Sequence, residues 1–246
     1  MNVICSNYSN NSIALIQWAY ENALQNVHVC YVDTGWSGKG WLEYVEKGEQ
    51  FAKQKGFEVV RLTSRSLFED LMEIKGGFPS QKYQWCALHL KGIPFLQWID
   101  KIDPENKATI LMARRASETG FEKPVAELVE NSEYHGDRKV WHPLYGCSDT
   151  ERNELLERVG FKPLAHRSLE CNPCINSSIA ELRALPEEDI AKTEALEEDL
   201  GAFMYDPERC QGAKGIREVV KWAKDVARDE EWTVQYGCSA AFGCGI

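Results

Sequence analysis

The sequence predicts an α/β protein: a parallel sheet with helices on both faces, then a helical C-terminal portion. Three observations carry this. Short apolar runs rich in β-branched and aromatic residues alternate with segments of helical spacing through the first half. The stretches between runs are long enough for a helix, and strand–helix–strand units of that size close as right-handed crossovers in a parallel sheet. The second half carries helical spacing instead.

Taken in order, Val3-Ile-Cys5 is the first apolar run. Ser12 to Asn22 holds Ile13, Ile16, Trp18 and Ala19 among polar residues and predicts a helix. Val27 to Val32 is the second strand. Leu42, Val45, Phe51 and Ala52 recur at helical spacing, and Gly56 ends that helix. Phe57 to Leu62 and Ala108 to Ala113 are the third and fourth strands. Asp149 to Val159 reads as a helix capped by Ser148 or Asp149, and residues 160–174 as irregular. Ile175–Leu185 and Pro186–Leu200 predict two helices, with Pro186 in a first turn and Gly201 as a stop. Ile216, Val219, Val220, Ala223, Val226 and Ala227 mark an amphipathic helix. Residues 236–246 are rich in small residues and predict a mobile tail. The division expected is a 1–174 α/β domain and a 175–246 helical extension.

The net charge is −10, from 28 basic and 38 acidic residues, which argues against a protein built mainly to hold a nucleic-acid backbone. It leaves room for a local basic cleft. No apolar run approaches the roughly 18 residues of a membrane span. The opening Met1-Asn-Val-Ile-Cys-Ser6 has no basic segment followed by a long apolar one, so a cytoplasmic protein is expected. There are nine cysteines, which in a reducing compartment read as metal ligands or catalytic thiols rather than disulfides.

In parallel sheets ligands bind beyond the carboxyl ends of the strands. After the first strand, Ser9, Asn10, Asn11 and Ser12 offer hydroxyls, amides and helix N-terminal N–H groups to an anion, or simply cap the helix. After the second, Asp33, Thr34 and Gly35 suit a ribose or base edge, or an ordinary turn. Trp36 and Trp41 are expected to pack rather than stack on a base. After the fourth, Arg114 and Arg115 suit bidentate contacts to phosphate or sulfate. His142 and His166 are secondary candidates.

Among the thiols, Cys171 and Cys174 form a C-x-x-C, fit for one metal or a redox pair. Cys86 opens a predicted helix, where the dipole favours a thiolate. Cys5 and Cys30 read as core. With Cys147 and Cys210 in loops and no second C-x-x-C, an iron–sulfur cluster is favoured over zinc. Cys238 and Cys244 lie in the glycine-rich tail.

In this order the motifs resemble those of the phosphoadenylyl and adenylyl sulfate reductase family, within the adenine-nucleotide α-hydrolase-like superfamily. Asn7 to Ser12 occupies the place of the family's pyrophosphate loop, without its glycines and with Asn11 for the usual Asp. Val32-Asp-Thr-Gly35 is similar to its second signature. Trp85-Cys-Ala-Leu-His-Leu-Lys91, with Pro94, resembles its cysteine-and-lysine helix, with one cysteine where the iron–sulfur members have two adjacent. Arg114 and Arg115 match its anion segment, and His142-Pro-Leu144 resembles the stretch before the substrate-side helix. Pro163-Leu164 and Cys171-Asn-Pro-Cys174 are similar to the family's C-x-x-C end, and Cys244-Gly-Ile246 to its cysteine tail.

The resemblance implies an adenine nucleotide across the strand ends, held by the first loop, Asp33, Thr34, Gly35, Lys91, Arg114 and Arg115. It implies a four-iron four-sulfur cluster on Cys86, Cys171 and Cys174, with Cys210 expected as fourth ligand and Cys147 or Cys238 as competitors. Cys244 would attack the sulfur of adenylyl sulfate or phosphoadenylyl sulfate, and thioredoxin, glutaredoxin or Cys238 would release sulfite. A second expectation is a sulfur-inserting enzyme of the same superfamily, using ATP to activate a nucleic acid or small molecule. A third is a non-catalytic nucleotide-binding iron–sulfur protein.

Overall fold

Alternate residues of the first strands feed two apolar layers. Ile4, Val29, Tyr31 and Leu111 join one buried cluster, while their neighbours Val3, Cys30, Ile110 and Met112 join another. That period of two is what a sheet covered on both faces requires. The computed structural model describes residues 1–117 and 126–226. Its strands are β1 (Asn2–Cys5), β2 (Val27–Asp33), β3 (Glu58–Thr63), β4 (Thr109–Met112), β5 (Leu128–Ser132) and β6 (Arg138–Trp141). They form one six-stranded sheet in the order β3-β2-β1-β4-β6-β5. All pairings are parallel except β5 with β6 at the edge. The protein is therefore an α/β fold, and the order reverses direction beside β1, where such sheets place their ligand crevice.

Helices α1 (Asn10–Glu21) and α2 (Trp41–Gln54) cover one face with α6 (Asp149–Glu157). A long helix covers the other, built of α4 (Trp85–Ala87), a π-helical turn (Leu88–Gly92) and α5 (Ile93–Ile102). Its Phe95 and Ile99 pack on Val3 and Ile110. The short α3 (Phe68–Lys75) precedes it. The C-terminal helices α7 (Ile179–Arg183), α8 (Glu187–Leu200) and α9 (Gly215–Asp225) close over a cluster of their own, including Leu182, Ile190, Val219 and Val220. They join the sheet domain through a further cluster in which Leu196 and Leu200 meet Trp36, Phe68 and Trp85. No helix among the described residues is long and apolar enough to cross a membrane.

Three elements differ from expectation. Strands β5 and β6 carry too few apolar residues to read as strands: Arg138-Lys-Val-Trp141 begins with two cations. Arg138 is nonetheless fully buried. Its guanidinium donates to Asp103 Oδ2 at 2.8 Å, Asp100 Oδ1 at 3.0 Å and the carbonyls of His135 and Asp103. The helix expected over 175–185 forms only at Ile179–Arg183. There Ser178 accepts from the Glu181 N–H and the Glu181 carboxylate accepts from the Ser178 N–H, a capping box that fixes a later start.

Removing the Arg138 side chain strands the Asp103 carboxylate in the interior. Arg138→Ala is expected to destabilise the protein by about 3 kcal/mol, seen as a lower denaturant midpoint. Burial works against the Asp103 carboxylate, but the Ala108 N–H, the Arg138 guanidinium and the Lys107 N–H together hold its pKa below the ordinary 3.8. A depressed carboxylate stabilises the fold fully above its unfolded pKa and loses that contribution as pH falls through the folded value. Wild-type stability is thus expected to drop more steeply with acidification below about pH 4 than that of Asp103→Asn.

Candidate functional site

Pro94 shapes the first wall of the site. Proline lacks the N–H that would bond the Leu90 carbonyl, and its ring crowds that carbonyl. The helix widens into a π turn over Leu88–Gly92, just ahead of it. Residues five apart on a regular α-helix point about 140° apart. Through the wide turn, Cys86 and Lys91 instead line the same cavity, together with Ala87 and Leu90.

The second wall comes from the coil before α7. Gly38 N–H donates to the Leu169 carbonyl and Asn172 N–H to the Trp36 carbonyl, each at 2.8 Å. Trp36 Nε1 donates to the Pro173 carbonyl at 3.0 Å, and Thr34 Oγ1 to the Glu170 carbonyl at 2.6 Å. The Cys171 thiol lies 3.7 Å from Thr34 Oγ1. The loop after β2 thus pins the C-x-x-C segment residue by residue. Gly38 permits the approach: a Cβ there would lie 3.0 Å from Asn172 Cβ and 3.2 Å from Leu169 Cβ.

Together these walls border a cavity lined by Cys86, Cys171 and Cys174, with Trp36, Phe68 and Met204 among its apolar residues. The Trp36 ring is backed by the Lys192 ammonium at 3.4 Å from its centroid.

A second crevice opens at the ends of β1 and β2 and is lined by Cys5, Ser6, Asn7, Cys30, Val32, Lys91, Phe95 and Glu170. Lys91 lines both spaces. Its ammonium is 2.6 Å from Glu170 Oε1, a pair buried at 7% and 4% side-chain exposure. Nothing in the sequence marks Glu170; only its place before Cys171 could have drawn notice.

The other expected residues are placed as follows. In the first loop Ser12 Oγ donates to Asn7 Oδ1 at 2.8 Å, and Asn7 Oδ1 also accepts from the Ser9 N–H. Asn10 clamps Leu164 through both its N–H and its carbonyl. Asn11 is fully buried and lies 3.4 Å from Arg152 Nη1. The side chains of Asn7, Asn10, Asn11 and Ser12 therefore organise the loop and its neighbours, while the Ser9 hydroxyl is buried without a partner among the described residues. Asp33 accepts from the Gly35 N–H at 3.0 Å, closing the turn after β2. Arg114 is buried close enough to His142 to help burial hold that imidazole's pKa below its ordinary value. Arg115 donates to Asp149 Oδ1 at 2.8 Å and to the Cys147 carbonyl, which ties it to the start of α6. Trp36 and Trp41 are buried, as expected of packing residues.

Cys210 is fully buried in the C-terminal cluster with Ile216 and Val219, and is not in the cavity wall. Burial pushes its thiol up to about 11. Burial also pushes Cys5 up to about 12 and Cys30 well above the ordinary range. Cys238 and Cys244 lie outside the described residues.

No family model matches this chain, and no curated protein matches it in sequence. Among solved structures it is similar to phosphoadenylyl-sulfate (PAPS) reductase from Candida auris in a phosphate complex. The TM-score is 0.46 and the identity 10%, over 66% of this chain and 75% of that one.

The geometry orders the thiols by reactivity. In metal-free native protein, a small maleimide is expected to modify the partly exposed Cys86, Cys171 and Cys174 well before the buried Cys30 and Cys210, with all five reacting after denaturation. Peptide mass spectrometry over a labelling time course reads the order, and early modification of Cys210 would contradict its placement in the core.

Proposed function

We propose that the protein is an iron–sulfur enzyme that reduces a sulfonucleotide, adenylyl sulfate or phosphoadenylyl sulfate, to sulfite. The observation that carries this reading is the shared wall: Lys91 lines both the three-thiol cavity and the crevice at the strand ends. A cavity lined by three thiols, joined through a lysine to a crevice at the strand ends, suits a substrate whose reacting atom is a sulfate sulfur.

The cavity residues fit a cluster. Among the described residues, no three His, Cys, Asp or Glu side chains gather as the ligands of a single ion would. Three cysteines spread around one apolar cavity suit a multi-atom four-iron four-sulfur cluster better than a lone ion. Cys86, Cys171 and Cys174 would hold it. When bound, it would supply a polarising, redox-capable surface beside the sulfate. Cys210 has no share in the wall, so we assign it to packing and not to ligation.

In this reading Lys91 offers its ammonium to an oxygen of the ligand where the two spaces meet, and the Asp33–Gly35 turn borders the sugar. The Cys244 thiolate attacks the sulfate sulfur. A sulfur–sulfur bond forms, the bond from sulfur to the bridging oxygen breaks, and the nucleotide leaves as its phosphate. A second thiol, from thioredoxin, glutaredoxin or Cys238, then attacks the Cys244 sulfur, releasing sulfite and leaving a disulfide.

One observation favours a second reading. Only three cysteines line the cavity among the described residues. Three-point ligation leaves one iron for an exchangeable sulfur, as an ATP-dependent sulfur-inserting enzyme acting on a nucleic acid or small molecule would use.

Protein purified without oxygen is expected to be brown, with iron and acid-labile sulfide. Cys171→Ser and Cys174→Ser should lose most of the iron, and Cys210→Ser should keep it. Sulfite release from a sulfonucleotide with thioredoxin should fall on the order of 10³-fold or more in Cys244→Ser, with iron content unchanged. Pyrophosphate release from ATP without turnover of either sulfonucleotide would select the second reading. Nucleotide binding without either turnover would reduce the protein to an iron–sulfur binding protein.

A further inference from the structure

We propose that the crevice at the strand ends contains a seat for a tetrahedral oxyanion, and that Glu170 is its built-in occupant. Three donors of different kinds converge on one atom, Glu170 Oε1: Lys91 Nζ at 2.6 Å, Ser168 Oγ at 3.3 Å and Asn7 Nδ2 at 3.4 Å. An ammonium, a hydroxyl and an amide around one oxygen is the arrangement a phosphate or sulfate oxygen receives in a protein. The seat lies at the carboxyl ends of β1 and β2, where Asn7, Lys91 and Glu170 line a crevice.

The carboxylate is a removable occupant on a fixed backbone. The Glu170 carbonyl is held by Thr34 Oγ1, and its neighbours Leu169 and Asn172 are bonded to Gly38 and Trp36. Only side-chain torsions need change for the carboxylate to leave while the three donors stay. An incoming oxyanion then takes Lys91, Asn7 and Ser168 from Glu170, and its apparent affinity is lowered by the free energy of that displacement. The seat therefore screens for ligands whose charge exceeds what one carboxylate offers. It deepens the reading of this crevice as the ligand side of the fold, and it stands whether or not the thiols carry a cluster.

The test uses full-length protein, isothermal titration with sodium sulfate and, separately, sodium phosphate at constant ionic strength, and thermal melts in the same salts. Glu170→Ala is expected to bind the preferred anion at least about tenfold more tightly than wild type. The same anion should raise its melting temperature more than that of wild type, because it restores a partner to the buried Lys91. Lys91→Met combined with Glu170→Ala should abolish both gains, and it also corrects for the general stabilisation that sulfate gives any protein. The preference between sulfate and phosphate identifies which group of a nucleotide takes the seat. Unchanged affinity in Glu170→Ala overturns the proposal, as does a gain that survives loss of Lys91, which would place the anion at Arg114 or Arg115. Should Glu170→Ala not fold, Glu170→Gln keeps the volume and removes the charge. It is expected to gain affinity in the same direction, and wild-type affinity there would equally overturn the proposal. The sulfite assay is independent: its failure with the binding gain intact would remove the reductase reading and leave the seat.

Discussion

The strip of backbone from Leu169 to Pro173, bonded along the loop after β2, fixes the rest of the site. It brings a C-x-x-C from a coil with no regular structure to the end of the sheet, and it sets Glu170 against Lys91. Coil segments are ordinarily the least defined part of a fold. Here two backbone hydrogen bonds and two side-chain hydrogen bonds to carbonyls give the segment the definition of a strand, without a place in the sheet.

The buried Lys91–Glu170 pair depends on that strip. Desolvating two charges is offset only when geometry and further hydrogen bonds compensate, and removing one partner alone typically costs about 3–5 kcal/mol. Asn7 and Ser168 supply the additional hydrogen bonds, Ser168 from the residue just before the strip and Asn7 from the loop after β1. Lys91, one member of the pair, lines both the thiol cavity and the crevice, so a single charge borders the two spaces.

Much of this was legible in the sequence. The strands from Val3, Val27, Phe57 and Ala108 announce themselves by β-branched density, and the lengths between them fix the crossovers. Cys171 and Cys174 were legible as a pair through their C-x-x-C spacing, Cys86 was joined to them by the family resemblance, and the fold brings all three to one cavity. Strands β5 and β6 were not, since a strand buried by an ion pair through Arg138 carries no apolar signature. Glu170 was not, because its meaning arises from Lys91, far away along the chain. The first loop misled in a physical way. Serines and asparagines can offer donors to an anion or satisfy one another, and only the fold shows that Asn7 and Ser12 do the second, while the Ser9 hydroxyl is buried without a partner among the described residues.

The π turn ahead of Pro94 bears on how this sequence can vary. A wide turn differs from a regular one by a single extra residue, and each residue rotates a helix by about 100°. Tightening this turn to regular α geometry with every residue kept would swing Lys91 about 140° away from Cys86, whereas losing one residue there would leave the two four apart and on one face. Surface loops absorb changes in length with little consequence. In this helix length and winding are tied to each other: a thiol and a cation five residues apart share a face only through a wide turn, and four apart only through a regular one.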